Sequence, residues 1–412
     1  MTRILFINTR HFYGGGDSTY TFNLADLLRS KGHEVAFFAM RDERNLPDPN
    51  ADLFVSFINF RELNRRKSLA TGLQVLRRVP YSTEARRKFG QMLDRFMPDV
   101  VHLQNIHAHI TPSVIFEAKQ RGLPVVWTLH DYKLICPNSH FLIDATGEIC
   151  EACGEGAYYQ AVLKRCKKGS LLASAMAALE AYAHRLMRVR ERVDAFLAPS
   201  AFLRDKLIKR GFALEKVHHL PYVLPAGMFH NCDRDEGYLL FLGKLEPIKG
   251  IRPLLEACRL APEVRLILAG RVEEPLASEL PTLLPPNAQY VGMKQGEELR
   301  QLLHNALAVV LPSLWYENQP FSILEAFACG KPVVASNLGG MTELVAHEER
   351  GLLVRSGDVQ ALAQAMRWMV AHPTEARKMG QMAYSYVLAQ HGPKQHYQRL
   401  MDLYGQVRGE TG

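Results

Sequence analysis

Two Rossmann-like α/β domains in tandem are the architecture this sequence predicts, and three observations carry the prediction. Short apolar runs alternate with segments of helical periodicity along the chain, the pattern of parallel strands covered by helices. The alternation runs as two series, separated by a polar, proline-containing stretch at 221–237 that reads as a linker. A length of 412 residues suits two separate cores, and a hydrophobic fraction of 47% is that of a globular protein.

In the first series "RILFINT" (3–9) is the opening strand, and "TYTFNLADLLRSKG" is an amphipathic helix closed by Gly32. "EVAFFAM", "DVVHLQNI" and "PVVWTLHD" follow as strands, then "VDAFLAPS" and the helix "AFLRDKLIKRG" (201–211). The second series starts at "YLLFLGKL" (238–245) and continues through "VRLILAG", "AQYVGM", "LAVVLPS" and "KPVVASN". Residues 376–405 read as helical and appended. The expected domains are 1–225, with a cysteine-containing insert at 136–166, then 226–390. A C-terminal helix at 391–412 is expected to pack back toward the first domain.

No uninterrupted apolar run is long enough to span a bilayer. The opening "MTRILFINTRHFYGGG" has too short an apolar stretch for a signal peptide and reads as a strand. The expected compartment is the cytoplasm, with all seven cysteines reduced.

The net charge of +8 is unevenly divided. Residues 1–225 carry 32 Lys and Arg against 22 Asp and Glu, whereas residues 226–412 carry 18 against 20. The densest basic stretch, "RELNRRKSLATGLQVLRRVPYSTEARRKF" (61–89), interleaves cations with apolar residues. It suits peripheral docking on an anionic bilayer, at the inner face of the cell membrane, through Arg65, Arg66, Arg77 and Arg78 with Leu73, Val75, Leu76 and Tyr81. It suits a solvated arginine-rich face equally well. No nucleic-acid-binding motif accompanies the charge, so nucleic acid is not an expected partner.

The most informative segment is "YENQPFSILEAFACGKPVVAS" (316–336). Pro320 disfavours helical geometry at Gln319 and suits a first helical position, so a helix is predicted to start near Phe321. Glu325 then falls in its second turn, and Glu317 stays in the loop after the strand "LAVVLPS". That strand end is where open α/β sheets bind ligands, and the N–H groups of a helix start suit a phosphate. Taken alone, the spacing favours the plainer reading of an acid resting near a helix N-terminus. Lys244 and Lys249 in "FLGKLEPIKG" follow the first strand of the second series, where two ammonium groups can neutralise a diphosphate.

With these elements in order, the chain resembles the retaining glycosyltransferases of family 4, whose GT-B fold has two Rossmann-like domains facing across a cleft. Glu317 and Glu325 match the family's E-x7-E element, here in an "EN-x-P" variant. Gly243, Lys244, Leu245, Lys249 and Gly250 match its "G-[RK]-L…KG" element, with lysine for the usual arginine at 244. Gly15 and Gly16 match the loop after the first strand, and His130 with Asp131 the "HD" after "WTL".

The resemblance implies that the first domain binds the acceptor and the second a nucleoside-diphosphate sugar. Glu325 would hold the ribose and Glu317 the transferred sugar. Asn318, Gln319, Pro320 and Phe321, with Lys244, Lys249, Gly15 and Gly16, would meet the diphosphate. His130 would sit beside the sugar, and His130, Glu317 and Lys249 are the expected catalytic residues. No catalytic metal or other cofactor is implied. The acceptor would be a glycan or lipid-linked glycan of cell-surface polysaccharide synthesis. The competing readings are a nucleotide-sugar epimerase of the same fold, a transferase acting on a soluble small molecule, and a non-catalytic sugar-nucleotide-binding protein.

Other signals carry less. "GGGDST" (14–19) fails as a dinucleotide fingerprint because Thr19 stands where the third glycine belongs. "DRD" at 233–235 reads as a solvated turn, and His102, His107 and His109 as strand-end structure. Cys136, Cys150, Cys153 and Cys166 follow C-x13-C-x2-C-x12-C, which reads either as a structural zinc site of four thiolates or as four unlinked thiols.

Overall fold

The computed structural model describes residues 1–57, 81–107, 109–225, 227 and 229–410. The chain divides into two compact units. The first comprises Met1–Pro199, Leu203–Val223 and Pro393–Gly412, and the second Ser200–Phe202 and Leu224–Gly392.

In the first unit, strands β1 (Arg3–Ile7), β2 (Glu34–Phe38), β3 (Val100–Leu103) and β4 (Val125–Thr128) alternate with helices. A small antiparallel hairpin, β5 (Leu142–Ile143) and β6 (Glu148–Ile149), stands apart from them. With β7 (Ala195–Ala198) and β8 (Val217–His219), the four form a parallel sheet in the order β2-β1-β3-β4-β7-β8. Ile4, Leu5, Phe6 and Ile7 are all buried, as are all four residues of β3, β4 and β7. Helices cover both faces of such a sheet, so its strands read as continuous apolar runs rather than alternating ones.

The second unit repeats the scheme with β9 (Tyr238–Leu242), β10 (Leu266–Ala269), β11 (Ala288–Tyr290), β12 (Ala306–Leu311), β13 (Val333–Ser336) and β14 (Gly351–Val354). The strand order is β11-β10-β9-β12-β13-β14, and every pair is parallel. Both units are therefore doubly wound α/β sheets, the two Rossmann-like domains that the sequence predicts.

Several details depart from the sequence reading. β8, β14 and the β5–β6 hairpin were not foreseen, because each is short and lacks a long apolar run. The stretch at 221–237 is not a plain solvated linker, since Tyr222, Val223 and Leu224 are buried. The appended helical segment is two helices. Pro373–Gln390 belongs to the second unit, and Pro393–Arg408 belongs to the first, where it buries His396, Leu400, Leu403 and Tyr404. Of the basic stretch 61–89, residues 61–80 lie outside the described residues, and with them Arg65, Arg66, Leu73, Val75, Leu76, Arg77 and Arg78. The remainder is partly buried, with Ser82, Ala85 and Phe89 inside and Thr83 and Arg87 exposed. Phe89 is fully buried in the helix Thr83–Phe96, which Ser82 caps, and the Tyr81 hydroxyl accepts a hydrogen bond from Arg86 at 2.7 Å.

Candidate active site

In the second unit, β10 and β11 extend the sheet on one side of β9, and β12 to β14 on the other. Where strand order reverses in this way, the loops at the carboxyl ends of the two neighbouring strands part and leave a crevice for a ligand. The loops after β9 and β12 carry the candidate donor-site residues.

After β9, a single turn of 3-10 helix, Pro247–Lys249, ends at Gly250, whose φ of 74° is left-handed. A Cβ there would stand 2.0 Å from the Pro312 carbonyl oxygen, so only glycine fits. The Leu314 N–H donates to the Ile248 carbonyl at 2.8 Å, which ties this turn to the loop after β12. Lys249 is thereby set beside Glu317. One Glu317 oxygen, Oε1, accepts from Lys249 Nζ at 2.5 Å, Ser313 Oγ at 2.7 Å and Trp315 Nε1 at 2.9 Å. Glu317 is only 5% exposed. Three donors on one oxygen hold the carboxylate in a single orientation, so little reorganisation is needed when charge develops beside it.

The helix Phe321–Ala328 follows directly, as Pro320 predicts. No acid occupies its first turn, which leaves its N–H-rich end favourable to an anion. The preceding loop is pinned: Ser200 Oγ donates to Asn318 Oδ1 at 2.6 Å, and the Gly340 N–H donates to the Glu317 carbonyl at 2.8 Å. A Cβ on Gly340 would lie 1.7 Å from the Asn318 carbonyl oxygen, so the Gly339–Gly340 turn is part of the site's scaffold.

Glu325 lies in the helix's second turn, and burial pushes its carboxyl pKa up to about 7. Lys244 pairs with Glu246 at 2.9 Å and Glu273 at 3.2 Å. Burial opposes its charge, but these two carboxylates outweigh it and hold its pKa above the ordinary lysine value.

The first unit has its own switch point, between β1 and β3. The exposed run Gly14–Gly15–Gly16 leads into the helix Gly16–Ser30, which has no side-chain cap and carries Asp17 in its first turn. His130 follows β4. Its Nε2 meets Gln104 Oε1 at 2.8 Å, and its Nδ1 meets the Tyr222 hydroxyl at 2.6 Å. With the Gln104 oxygen as acceptor, the ring carries its proton on Nε2 and Nδ1 accepts from Tyr222. Burial pushes the His130 pKa down to about 4 despite the carboxylates of Asp17 and Asp131, so the imidazole is neutral near pH 7. Burial alone would raise Asp131, but His107 and the Lys133 backbone N–H bring it down to about 2. Gln104 Nε2 is buried without a partner among the described residues, an uncompensated donor beside the imidazole.

Residues 14–222, half of the chain, match the family described as Glycosyltransferase Family 4. The chain belongs to that family. Residues 229–386 match Glycosyl transferases group 1. An uncharacterized 42.6 kDa protein of the cps region of Klebsiella pneumoniae is 24% identical over 83% of this glycosyltransferase and 87% of the relative. The amylovoran biosynthesis glycosyltransferase AmsK of Erwinia amylovora is 31% identical over 41% of this chain and 46% of its own length. Among solved structures, sucrose-phosphate synthase from Thermosynechococcus elongatus superposes with a TM-score of 0.71 at 20% identity, covering all of both chains. Anabaena HepE in complex with UDP-glucose gives 0.69 at 16%, covering 98% of this chain and all of that one. At such identities the likeness is one of fold.

In this glycosyltransferase, Lys244, Lys249, Asn318, Gln319, Pro320, Phe321, Glu317 and Glu325 share the second unit, and Gly15, Gly16 and His130 the first. Sequence reasoning missed Ser313 and Trp315 as partners of Glu317, the Gly339–Gly340 turn, and the pair Gln104 and Tyr222 that flanks His130. The double glycine after "VVAS" was a usable signal; Tyr222, inside a stretch read as linker, had none. His102 is structural, buried between the Tyr404 hydroxyl at 2.6 Å and Thr128 Oγ1 at 2.8 Å. Asp235 of "DRD" pairs with Arg377 at 2.9 Å rather than standing free in a solvated turn.

The four cysteines of the insert are free thiols. Burial, with the neighbouring thiols adding, pushes Cys153 up to about 12 and Cys166 to about 11, and burial raises Cys136 against nearby backbone N–H groups. Their chemistry suits zinc. Yet among the described residues no three His, Cys, Asp or Glu side chains converge as a coordinating group. The zinc reading of Cys136, Cys150, Cys153 and Cys166 plays no part in the proposed function.

Proposed function

We propose that this glycosyltransferase moves a sugar from a nucleoside-diphosphate donor to a glycan or lipid-linked acceptor of surface polysaccharide synthesis, with retention of anomeric configuration. The observation that carries the reading is the Glu317–Lys249 pair, fixed at the switch point of the second unit immediately before the helix start at Phe321. Glu317 orients the transferred sugar. Lys249 and the N–H groups at the helix start meet the diphosphate, and Glu325 accepts hydrogen bonds from the ribose hydroxyls.

As the glycosidic bond breaks, an oxocarbenium-like sugar separates from the departing diphosphate, and fixed cations and N–H donors stabilise the charge that develops on it. In a front-face reaction the leaving phosphate oxygen takes the acceptor's proton, so no separate base is required. Neutral His130, its two ring nitrogens engaged by Gln104 and Tyr222, does not act as an acid near pH 7. The description of AmsK as an amylovoran biosynthesis enzyme supports the polysaccharide reading. The epimerase reading has no comparable support, since no relative named above is described as one.

A thermal-shift screen of UDP-, GDP- and ADP-sugars, followed by NMR of the product's anomeric configuration, tests the proposal. Stabilisation by one donor class and a retained anomer are expected. No donor that stabilises the protein, or an inverted product, would sink it.

Two further results are expected. Glu325 must be ionised to accept from both ribose hydroxyls, and its free-state pKa is about 7. Donor binding favours the carboxylate and so lowers that pKa. Below about pH 7 binding then expels a proton, and affinity rises with pH until it levels off above that point. Calorimetry in buffers of different ionisation enthalpy reads this directly, and proton uptake or none at pH 6.5 counts against the assignment.

The second concerns Tyr222→Phe, which removes the hydroxyl at His130 Nδ1 and leaves the ring held by Gln104 alone. A fall in kcat of about tenfold with little change in donor KM is expected, the cost of one lost buried hydrogen bond. An unchanged kcat shows that His130 needs no such support.

A further inference from the structure

In the first unit, the helix Leu171–Leu186 shows solvent a face that a surface helix normally buries. Leu172, Leu179 and Leu186 recur seven residues apart and are 73%, 48% and 86% exposed. At the helical period they share one stripe, which Tyr182 widens. The opposite side anchors the helix: Ser174, Ala177 and Ala178 are buried, and buried Glu180 pairs with Lys133 at 2.7 Å. Glu180 is the helix's one acid, so the exposed face carries none.

The neighbouring helix Tyr159–Leu163 is held against it, its Tyr159 N–H donating to the Tyr182 hydroxyl at 3.2 Å, and it adds exposed Leu163. Cations follow at once. Lys164, Arg165 and Lys168 are all exposed, and Arg188, beyond the other end of the leucine stripe, is exposed with only a loose 3.7 Å pairing to Glu191.

We propose that this face docks on an anionic bilayer. The leucine stripe enters the boundary between headgroups and acyl chains, and Lys164, Arg165 and Lys168 lie over the anionic headgroups. A second copy of the chain is the less favoured occupant. A two-fold contact through the stripe presents the same patch from both sides and sets its cations against their own copies. The proposal deepens the reading of the acceptor as lipid-linked and rests on that reading only for its purpose. Its test measures vesicle binding rather than transfer, so the two can fail separately.

Flotation of the full chain with phosphatidylglycerol-containing vesicles, against pure phosphatidylcholine, tests it at low and high salt. Binding to the anionic vesicles is expected at low salt and should weaken at high salt as screening grows. The triple variant Leu172→Ser, Leu179→Ser, Leu186→Ser should lose about a hundredfold in binding, and so should Lys164→Glu, Arg165→Glu, Lys168→Glu, with melting curves like wild type because every site is exposed. No flotation at low salt overturns the proposal, as does binding that neither variant weakens. A concentration-dependent dimer without vesicles, abolished by the serine variant, assigns the face to a second copy instead.

Discussion

Glu317→Ala is expected to slow sugar transfer by about two to three orders of magnitude, as losing a preorganised group at the reacting centre does. The substitution removes the group that orients the sugar, and it also strips Lys249, Ser313 and Trp315 of their shared acceptor. Leaving buried donors unsatisfied costs about 1–3 kcal/mol, so a lower melting temperature should accompany the loss without unfolding the protein. Glu317→Gln keeps an acceptor of the same shape and should fall between the two, because it loses the charge but not the scaffold. Initial rates with saturating donor, alongside thermal melts, measure both effects. A folded alanine variant that transfers sugar at the wild-type rate removes Glu317 from the mechanism.

Lys249→Ala should lower kcat by about a hundredfold, the equivalent of roughly 3 kcal/mol lost from stabilisation of the leaving diphosphate. Part of that effect acts through Glu317, whose buried carboxylate loses its ion-pair partner at 2.5 Å. The two substitutions are therefore expected to be non-additive: the double variant should be little slower than the worse of the single ones, because both dismantle one pair. Additive losses would mean that Lys249 and Glu317 act independently, and the shared-pair account would fall. A Lys249→Ala variant that changes only donor KM would make the lysine a binding residue with no part in the transition state.

What the sequence determined by itself was local. Pro320 places the start of the helix at Phe321, because the restriction it imposes on Gln319 needs no tertiary partner. Glu325 then falls in the second turn by counting. The strands were legible because parallel strands buried on both faces must be apolar throughout, and Ile4 to Ile7 and Ala306 to Leu311 are. The tertiary structure decided which loops meet. Lys249 and Glu317 are 68 positions apart, and they touch only because β9 and β12 are neighbours in a sheet whose order reverses between them. No local pattern records that adjacency, since strand order is set by how helices pack over the completed sheet. The same holds for Tyr222, which stands at the start of the proline-containing stretch that reads as a linker but folds into the first unit's core to reach His130 at 2.6 Å. It holds again for Leu172, Leu179 and Leu186: only the packing of the helix's other side shows that this face is left to solvent. Propensity and periodicity act within a few residues along the chain, whereas burial and partnership depend on what the rest of the fold brings alongside.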